Sequence, residues 1–181
     1  TTLFRSLAPA PTLVVPEPSV APSIPTSPDL TFATYNIAKP TNTAVPKWAK
    51  RREAIAKTIN ESNSDVVGIQ EATAHTVTGV DGKRMTHWDD VQALTAPAGY
   101  ASPVIEVNTC GGNYSCIHSA HILFKTATVK QVDLADPLPS AGQGVLGDIT
   151  GGLKYAKKRE FSWAYLEGLN GTGVFLAVSV H

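Results

Sequence analysis

The sequence predicts a mixed α/β layered fold, on three observations. Strand-length apolar or alternating segments occur at 30–37, 65–70, 120–124, 127–134, 160–166 and 174–180. Two amphipathic helical stretches are interleaved with them, and Asn170-Gly171 gives a hairpin signal between the last two. The 181 residues suffice for one domain with a real core and are too few for two of ordinary size. Hydrophobic residues at 43% and charged residues at 17% exclude wholesale disorder. Lys+Arg and Asp+Glu balance at 15 each, which excludes a strongly basic nucleic-acid glove and leaves room only for local basic patches.

Seven of the 13 prolines fall within residues 1–28. Proline lacks an amide donor and favours extended polyproline geometry, so this stretch reads as a semi-rigid linker or tail. An arm packed on the domain through Leu13, Val14 and Val15 is the alternative. The globular part is assigned to residues 29–181. Residues 30–37, rich in Thr, Phe, Tyr and Ile, read as a strand. A loop with Pro40 and Pro46 follows, and 48–63 reads as a helix with Trp48, Arg52, Ile55 and Ile59 on one face. Its residues Arg51 and Arg52, with Lys47 and Lys50, read as a basic exposed side. The run Val66-Val67-Gly68-Ile69 is a buried strand. Residues 85–95 read as a second amphipathic helix, with Met85, Trp88 and Val91 on one side, ended by Pro97 and Gly99. Residues 120–124 and 127–134 read as strands, 135–152 as a Gly- and Pro-rich loop, and 160–166 and 174–180 as a hairpin. Trp88 and Trp163 read as core-facing. The longest apolar run, 174–180, is strand-sized, so no transmembrane segment is expected.

Two strand ends stand out. Tyr35-Asn36-Ile37 closes the first strand and Gln70-Glu71 closes the next, and rims of this kind gather ligands. An amide and a carboxylate oxygen are hard donors, suited to Mg²⁺, with Ca²⁺ or Mn²⁺ as alternatives, rather than to Zn²⁺. Caps or solvated residues are the other reading of the same pattern.

Thr31-Phe-Ala-Thr-Tyr-Asn-Ile, then Trp48 through Arg51-Arg52 and Ile55, then Asp65-Val-Val-Gly-Ile-Gln-Glu-Ala together resemble the opening of the endonuclease/exonuclease/phosphatase superfamily. Ala120-His-Ile-Leu-Phe-Lys-Thr, Arg159 with 161–166, and Val174-Phe-Leu-Ala-Val-Ser-Val-His181 resemble its later strands, in order. The resemblance spans 29–181. It implies a deoxyribonuclease I-like two-layered β-sandwich flanked by helices. It implies Glu71 as the main metal ligand, Asn36 in the metal and catalytic region, His181 as a catalytic contact to the scissile phosphate, and Arg159 near substrate phosphates. The implied activity is metal-dependent hydrolysis of a phosphoester, foremost a nucleic-acid phosphodiester. A sphingomyelinase-like or phosphatase-like hydrolase and a non-catalytic binding module are alternatives. The family continues with an Asp-x-Asn segment and an Asp-His pair that have no counterpart before His181. The expectation is therefore an N-terminal half, truncated after its first half, whose site needs a C-terminal half from the same or a second chain.

Cys110 and Cys116, the two cysteines, read as a local disulfide, with free thiols or zinc (with His118 and His121) as alternatives. Their even count and close spacing point to an oxidising, extracellular or secreted location. Gly142-Gln-Gly-Val-Leu-Gly147 spells a dinucleotide motif but lacks the strand before it and the helix within it, so it reads as loop. Lys154, Lys157, Lys158 and Arg159 read either as a phosphate contact or as a solvated face. His75 and His87 read as surface residues.

Overall fold

The computed structural model of the chain describes residues 29–108, 119–134, 138–146 and 159–181. Its elements run β1 (Phe32–Asn36), α1 (Trp48–Ser62), β2 (Val66–Gln70), β3 (Thr76–Thr78), β4 (Arg84–Thr86), α2 (His87–Thr95), β5 (Tyr100–Ala101), β6 (Val107–Asn108), β7 (Ala120–Lys125), β8 (Val129–Gln131), β9 (Ala141–Leu146), β10 (Arg159–Gly168) and β11 (Gly173–Val180). The first sheet has the order β1-β2-β7-β5, and the second β11-β10-β9-β6, with β8 also on β10. β3 and β4 form a separate hairpin.

Strand alternation divides the apolar residues between two cores. On β2 and β7, Val67, Ile69 and Leu123 join Trp48, Ile55 and Ile59 of α1 and Val91 of α2. On the other face, Val66, Ile122 and Phe124 meet Ala164, Leu166 and Ala177 of the second sheet. β2 and β7 are thus buried on both sides, which is why they read as continuous apolar runs, while the edge strand β1 leaves Phe32, Thr34 and Asn36 exposed. Asp65 fastens the lower end, accepting from Thr31 N at 2.7 Å, Thr31 Oγ1 at 2.8 Å and Thr128 Oγ1 at 2.5 Å.

The second sheet differs. Its residues Ser162, Ala164 and Leu166 point inward and are buried. On the outward side, Phe161 pairs with Val180, Trp163 with Val178, and Tyr165 with Leu176. Val174, Leu176, Val178 and Val180 are 47–55% exposed, and a groove of about 260 Å³ runs between Leu134, Leu138, Pro139, Trp163, Tyr165 and Leu176.

Several sequence expectations need correction. The second helix begins at His87, not at residue 85. Thr86 Oγ1 accepts from Asp89 N at 3.0 Å while Asp89 Oδ2 accepts from Thr86 N at 3.2 Å, a capping box that fixes the start. Met85 lies instead on β4, opposite Val77. Within 135–152, residues 141–146 form β9 rather than loop, paired with β10. The first of its two glycines serves contact: a Cβ on Gly142 would lie 2.7 Å from Trp163 Nε1. Trp163 therefore packs against Gly142 on the sheet's outer face, not in the core. Arg51 and Arg52 turn inward from α1; Arg52 Nη1 donates to Thr78 O at 2.9 Å and lies 3.7 Å from the buried Asp90. His87 is fully buried rather than on the surface. The Pro-rich 1–28, the Cys110–Cys116 pair and Lys154, Lys157 and Lys158 lie outside the described residues. Among the described residues, no helix is long and apolar enough to cross a membrane.

Candidate active site

Register brings the strand ends to one rim. Asn36 pairs with Gln70 at the end of β1 and β2, and Gln70 pairs with Ala120 at the start of β7. Glu71 and Ser119 are the next residues outward, and Glu71 N donates to Ser119 O at 2.6 Å. In the second sheet Phe161 pairs with Val180, so Glu160 and His181 close the same rim, with His181 N donating to Glu160 O at 3.0 Å. Gln70 ties the sheets together: its Oε1 accepts from Thr34 Oγ1 at 3.2 Å and its Nε2 donates to Ser179 Oγ at 3.1 Å.

Glu71 is the centre of the cluster. Its Oε1 accepts from Asn36 Nδ2 at 3.1 Å and lies 3.5 Å from His181 Nε2; its Oε2 accepts from Lys39 N at 2.9 Å. The Lys39 amide is foremost in holding the Glu71 carboxyl below the usual carboxylate range; partial burial opposes it, and Asn36, the His181 charge and the Lys39 charge add to it. Asn36 Oδ1 accepts from Ala38 N at 2.9 Å, which fixes the amide so that its NH₂ faces Glu71. Asn36 thus reaches the cluster as the donor that orients the carboxylate. His181 Nδ1 lies 3.0 Å from Ser119 Oγ, and Ser119 N in turn donates to Glu160 Oε2.

The loop that supplies the Lys39 amide is clamped from α1. Arg51 Nη1 donates to Ile37 O, Nη2 to the carbonyls of Ala38 and Lys39, and Nε to Pro46 O at 3.0 Å. Burial lowers the Arg51 pKa, while Tyr35 and Glu71 raise it. Both Ala38 (φ 55) and Glu71 (φ 62) hold left-handed backbone, strained for residues with a Cβ.

The structure therefore places Asn36, Glu71 and His181 together. Arg159 stands at the start of β10, exposed, one residue from Glu160 on the same rim. Sequence reasoning missed Ser119 and the Lys39 amide. A signal for Ser119 exists, since it immediately precedes an apolar strand; nothing in the sequence marks Lys39.

The cluster suits a hard divalent cation. A carboxylate has about four acceptor positions; Asn36 and Lys39 engage two of them by hydrogen bonds and His181 Nε2 lies 3.5 Å from Oε1, leaving Glu71 able to hold an ion. Among the described residues there is no group of three or more His, Cys, Asp or Glu that could hold a metal. One carboxylate at an open rim is not the closed ligand set of a structural zinc site; it could hold an ion such as Mg²⁺ that takes waters and substrate oxygens as its other ligands.

Sandwich and rim together define a deoxyribonuclease I-like α+β architecture. Solved structures place the particular fold: the chain has the endonuclease/exonuclease/phosphatase fold over the part it spans. It superposes on an endonuclease/exonuclease/phosphatase family protein from Bacteroides thetaiotaomicron with TM-score 0.58 and 19% identity, covering 84% of this chain and 48% of that one. A mannosyl-6-phosphatase from the same species gives TM-score 0.58 and 19% identity, covering 84% and 51%. The human Nocturnin catalytic domain, with bound sulfate, gives TM-score 0.54 and 16% identity, covering 84% and 50%. The chain spans about half the length of these structures. No family model and no curated protein matches the sequence.

Proposed function

We propose that this chain carries part of a metal-dependent phosphoester hydrolase, acting foremost on nucleic-acid phosphodiesters. The observation that carries the reading is the meeting of Glu71, Asn36 and His181 from three strand ends at one rim, with Glu71 Oε1 3.1 Å from Asn36 Nδ2 and 3.5 Å from His181 Nε2. Glu71 holds the cation and Asn36 fixes its rotamer. A bound Mg²⁺ supplies charge stabilisation to phosphoryl oxygens. His181 holds a proton at Nε2 for a substrate oxygen, with Ser119 Oγ orienting the ring through Nδ1. Arg159 offers a fixed positive charge to flanking phosphates. The open apolar face of the second sheet supports a further segment, a C-terminal half in the same or a second chain, which covers that face and completes the site. The Cys110 and Cys116 pair supports an extracellular location.

Mn²⁺ titration of the full chain tests the metal assignment, and Mg²⁺-dependent cleavage of bis-p-nitrophenyl phosphate tests the chemistry. Glu71→Ala is expected to abolish Mn²⁺ binding and to lower any turnover by about two orders of magnitude. Turnover by this chain alone is expected to be weak. A Glu71→Ala protein that binds Mn²⁺ and cleaves like the parent overturns the reading. Rates on DNA, on sphingomyelin vesicles and on p-nitrophenyl phosphate then rank the diester, lipid and monoester substrates.

A further inference from the structure

We propose that two buried imidazoles, His121 and His87, are positioning residues that hold the turn carrying Glu71; the proposal rests on reading Glu71 as the metal-holding carboxylate. Glu71 sits in left-handed backbone at φ 62, a conformation that costs a residue with a Cβ about 1–2 kcal/mol and persists only where its surroundings impose it. The backbone groups that follow are bonded one after another. Glu71 N reaches Ser119 O at 2.6 Å. Ala72 O lies 2.9 Å from His121 Nε2. Thr73 N donates to His87 Nδ1 at 3.3 Å, and Thr73 O accepts from Trp88 N at 3.2 Å.

Two of these four bonds end on imidazoles, and each fixes a tautomer. A carbonyl only accepts, so His121 carries its proton on Nε2, while its Nδ1 faces Gln143 Nε2 at 3.4 Å. A backbone N–H only donates, so His87 Nδ1 is bare and its proton is on Nε2. Ring orientation is locked by indoles: His121 stacks on Trp88 at 4.0 Å and 10°, and His87 meets Trp48 edge-on at 4.1 Å and 82°. Trp48 is itself held, its Nε1 donating to the buried Asp90 Oδ2 at 2.7 Å. The same Trp48 lies 5.1 Å beneath the Arg51 guanidinium, which clamps the carbonyls of the loop whose Lys39 amide grips Glu71 Oε2. One aromatic layer between the first sheet and its helices thus sets both the turn under Glu71 and the donor on its carboxylate. Partners of this second rank typically cost about 10- to 100-fold in metal affinity when removed.

The test compares substitutions that keep the bond with substitutions that remove it. His121→Gln keeps a donor where Nε2 stands, and His87→Asn keeps an acceptor where Nδ1 stands; His121→Leu and His87→Leu remove them at similar bulk. Each full-length variant is checked for a cooperative melt, titrated with Mn²⁺, and followed by amide hydrogen exchange at Glu71 and Thr73. The leucine variants are expected to bind Mn²⁺ about tenfold or more weakly and to lose protection at Thr73, while the Gln and Asn variants stay within about twofold of the parent. Folded leucine variants with parental Mn²⁺ affinity and unchanged protection overturn the proposal. If the leucine variants do not fold, the conservative pair decides: a folded His87→Asn or His121→Gln that binds tenfold more weakly overturns it, and parental affinity supports it. Parental Mn²⁺ binding by Glu71→Ala defeats the metal reading instead, and the exchange of the Glu71 and Thr73 amides still decides whether the imidazoles hold the turn.

Discussion

The central strands of the first sheet, β2 and β7, are covered on both faces, by helices on one side and by the second sheet on the other, whereas the second sheet is covered on one. Ile69 and Leu123, between sheet and helices, have no exposure; Leu176 and Val178, on the outer face of the second sheet, are about half exposed. Both sets are large aliphatic residues in strands, so the contrast is one of partners and not of residue type. The covered layer also holds the polar machinery: His87, Asp90 and His121 are buried there, bonded to backbone and indole groups behind Glu71. The outer face of the second sheet presents Phe161, Trp163, Tyr165 and four aliphatic side chains of β11. A contiguous apolar patch of this kind on an edge strand is what a protein normally covers. The layer behind Glu71 is therefore enclosed, and the larger uncovered apolar surface lies on the far sheet.

The contrast breaks most visibly under truncation of a single leucine. Leu123→Ala is expected to cost about 2–5 kcal/mol, because the cavity is enclosed by α1, α2 and β2. Leu176→Ala is expected to stay within about 0.5 kcal/mol, since water already reaches that side chain. Urea unfolding of the full chain measures both. A Leu176→Ala cost matching that of Leu123→Ala would mean that the outer face is covered in solution.

How much of this division was legible follows from which residues announce themselves. The first sheet was readable because Val66-Val67-Gly68-Ile69 and Ala120 to Phe124 are β-rich runs buried on both faces, and α1 because its apolar residues recur at helical spacing. Asn36 and Glu71 were readable as polar residues ending apolar strands. β9 was not, since Ala141-Gly142-Gln143-Gly144 has weak intrinsic strand preference and its conformation is imposed by pairing with β10. The helix start at His87 was legible in Thr86 and Asp89, but Met85 falls on the helical period and masked it. The bonds from His121 and His87 to the Glu71 turn were beyond sequence reading. They depend on the register of β7 against β2 and on the docking of α2, which place residues 49 and 14 positions apart within 3.3 Å.

A smaller effect sharpens the comparison on the open side. Gly142→Ala places a Cβ within 2.8 Å of three atoms of the Trp163 indole. In a closed core such overpacking costs about 1–3 kcal/mol. On an open face the indole has room to swing outward, so the expected cost lies at the lower end, with a red shift of tryptophan emission as Trp163 gains water. A cost above that range without a red shift would show the indole pinned by a cover on that face.

The last comparison is read along the pH axis and belongs to the covered layer. Burial pushes the His87 pKa down to about 3, with the charges of Arg51, His75 and His121 acting the same way and the Glu71 carbonyl against them. The unfolded chain binds this proton near the ordinary value of 6.5. Between those values the unfolded state holds a proton the folded state lacks, so stability falls as pH drops from about 6.5 towards 3. The slope is at most about 1.4 kcal/mol per pH unit. Glu71 and Asp65 have lowered carboxyl pKa values, so the stability they lend is present above the ordinary carboxylate range and is lost only as pH falls through their folded values. The two regimes separate on the pH axis. Urea midpoints at pH 7.5, 6.0, 5.0 and 4.5 are expected to fall in the parent and to flatten in His87→Leu, while Glu71→Gln keeps the parental slope down to about pH 4. A His87→Leu protein that retains the full slope would place the acid-sensitive group elsewhere than His87 and remove His87 from the buried, neutral role on which the support of Glu71 depends.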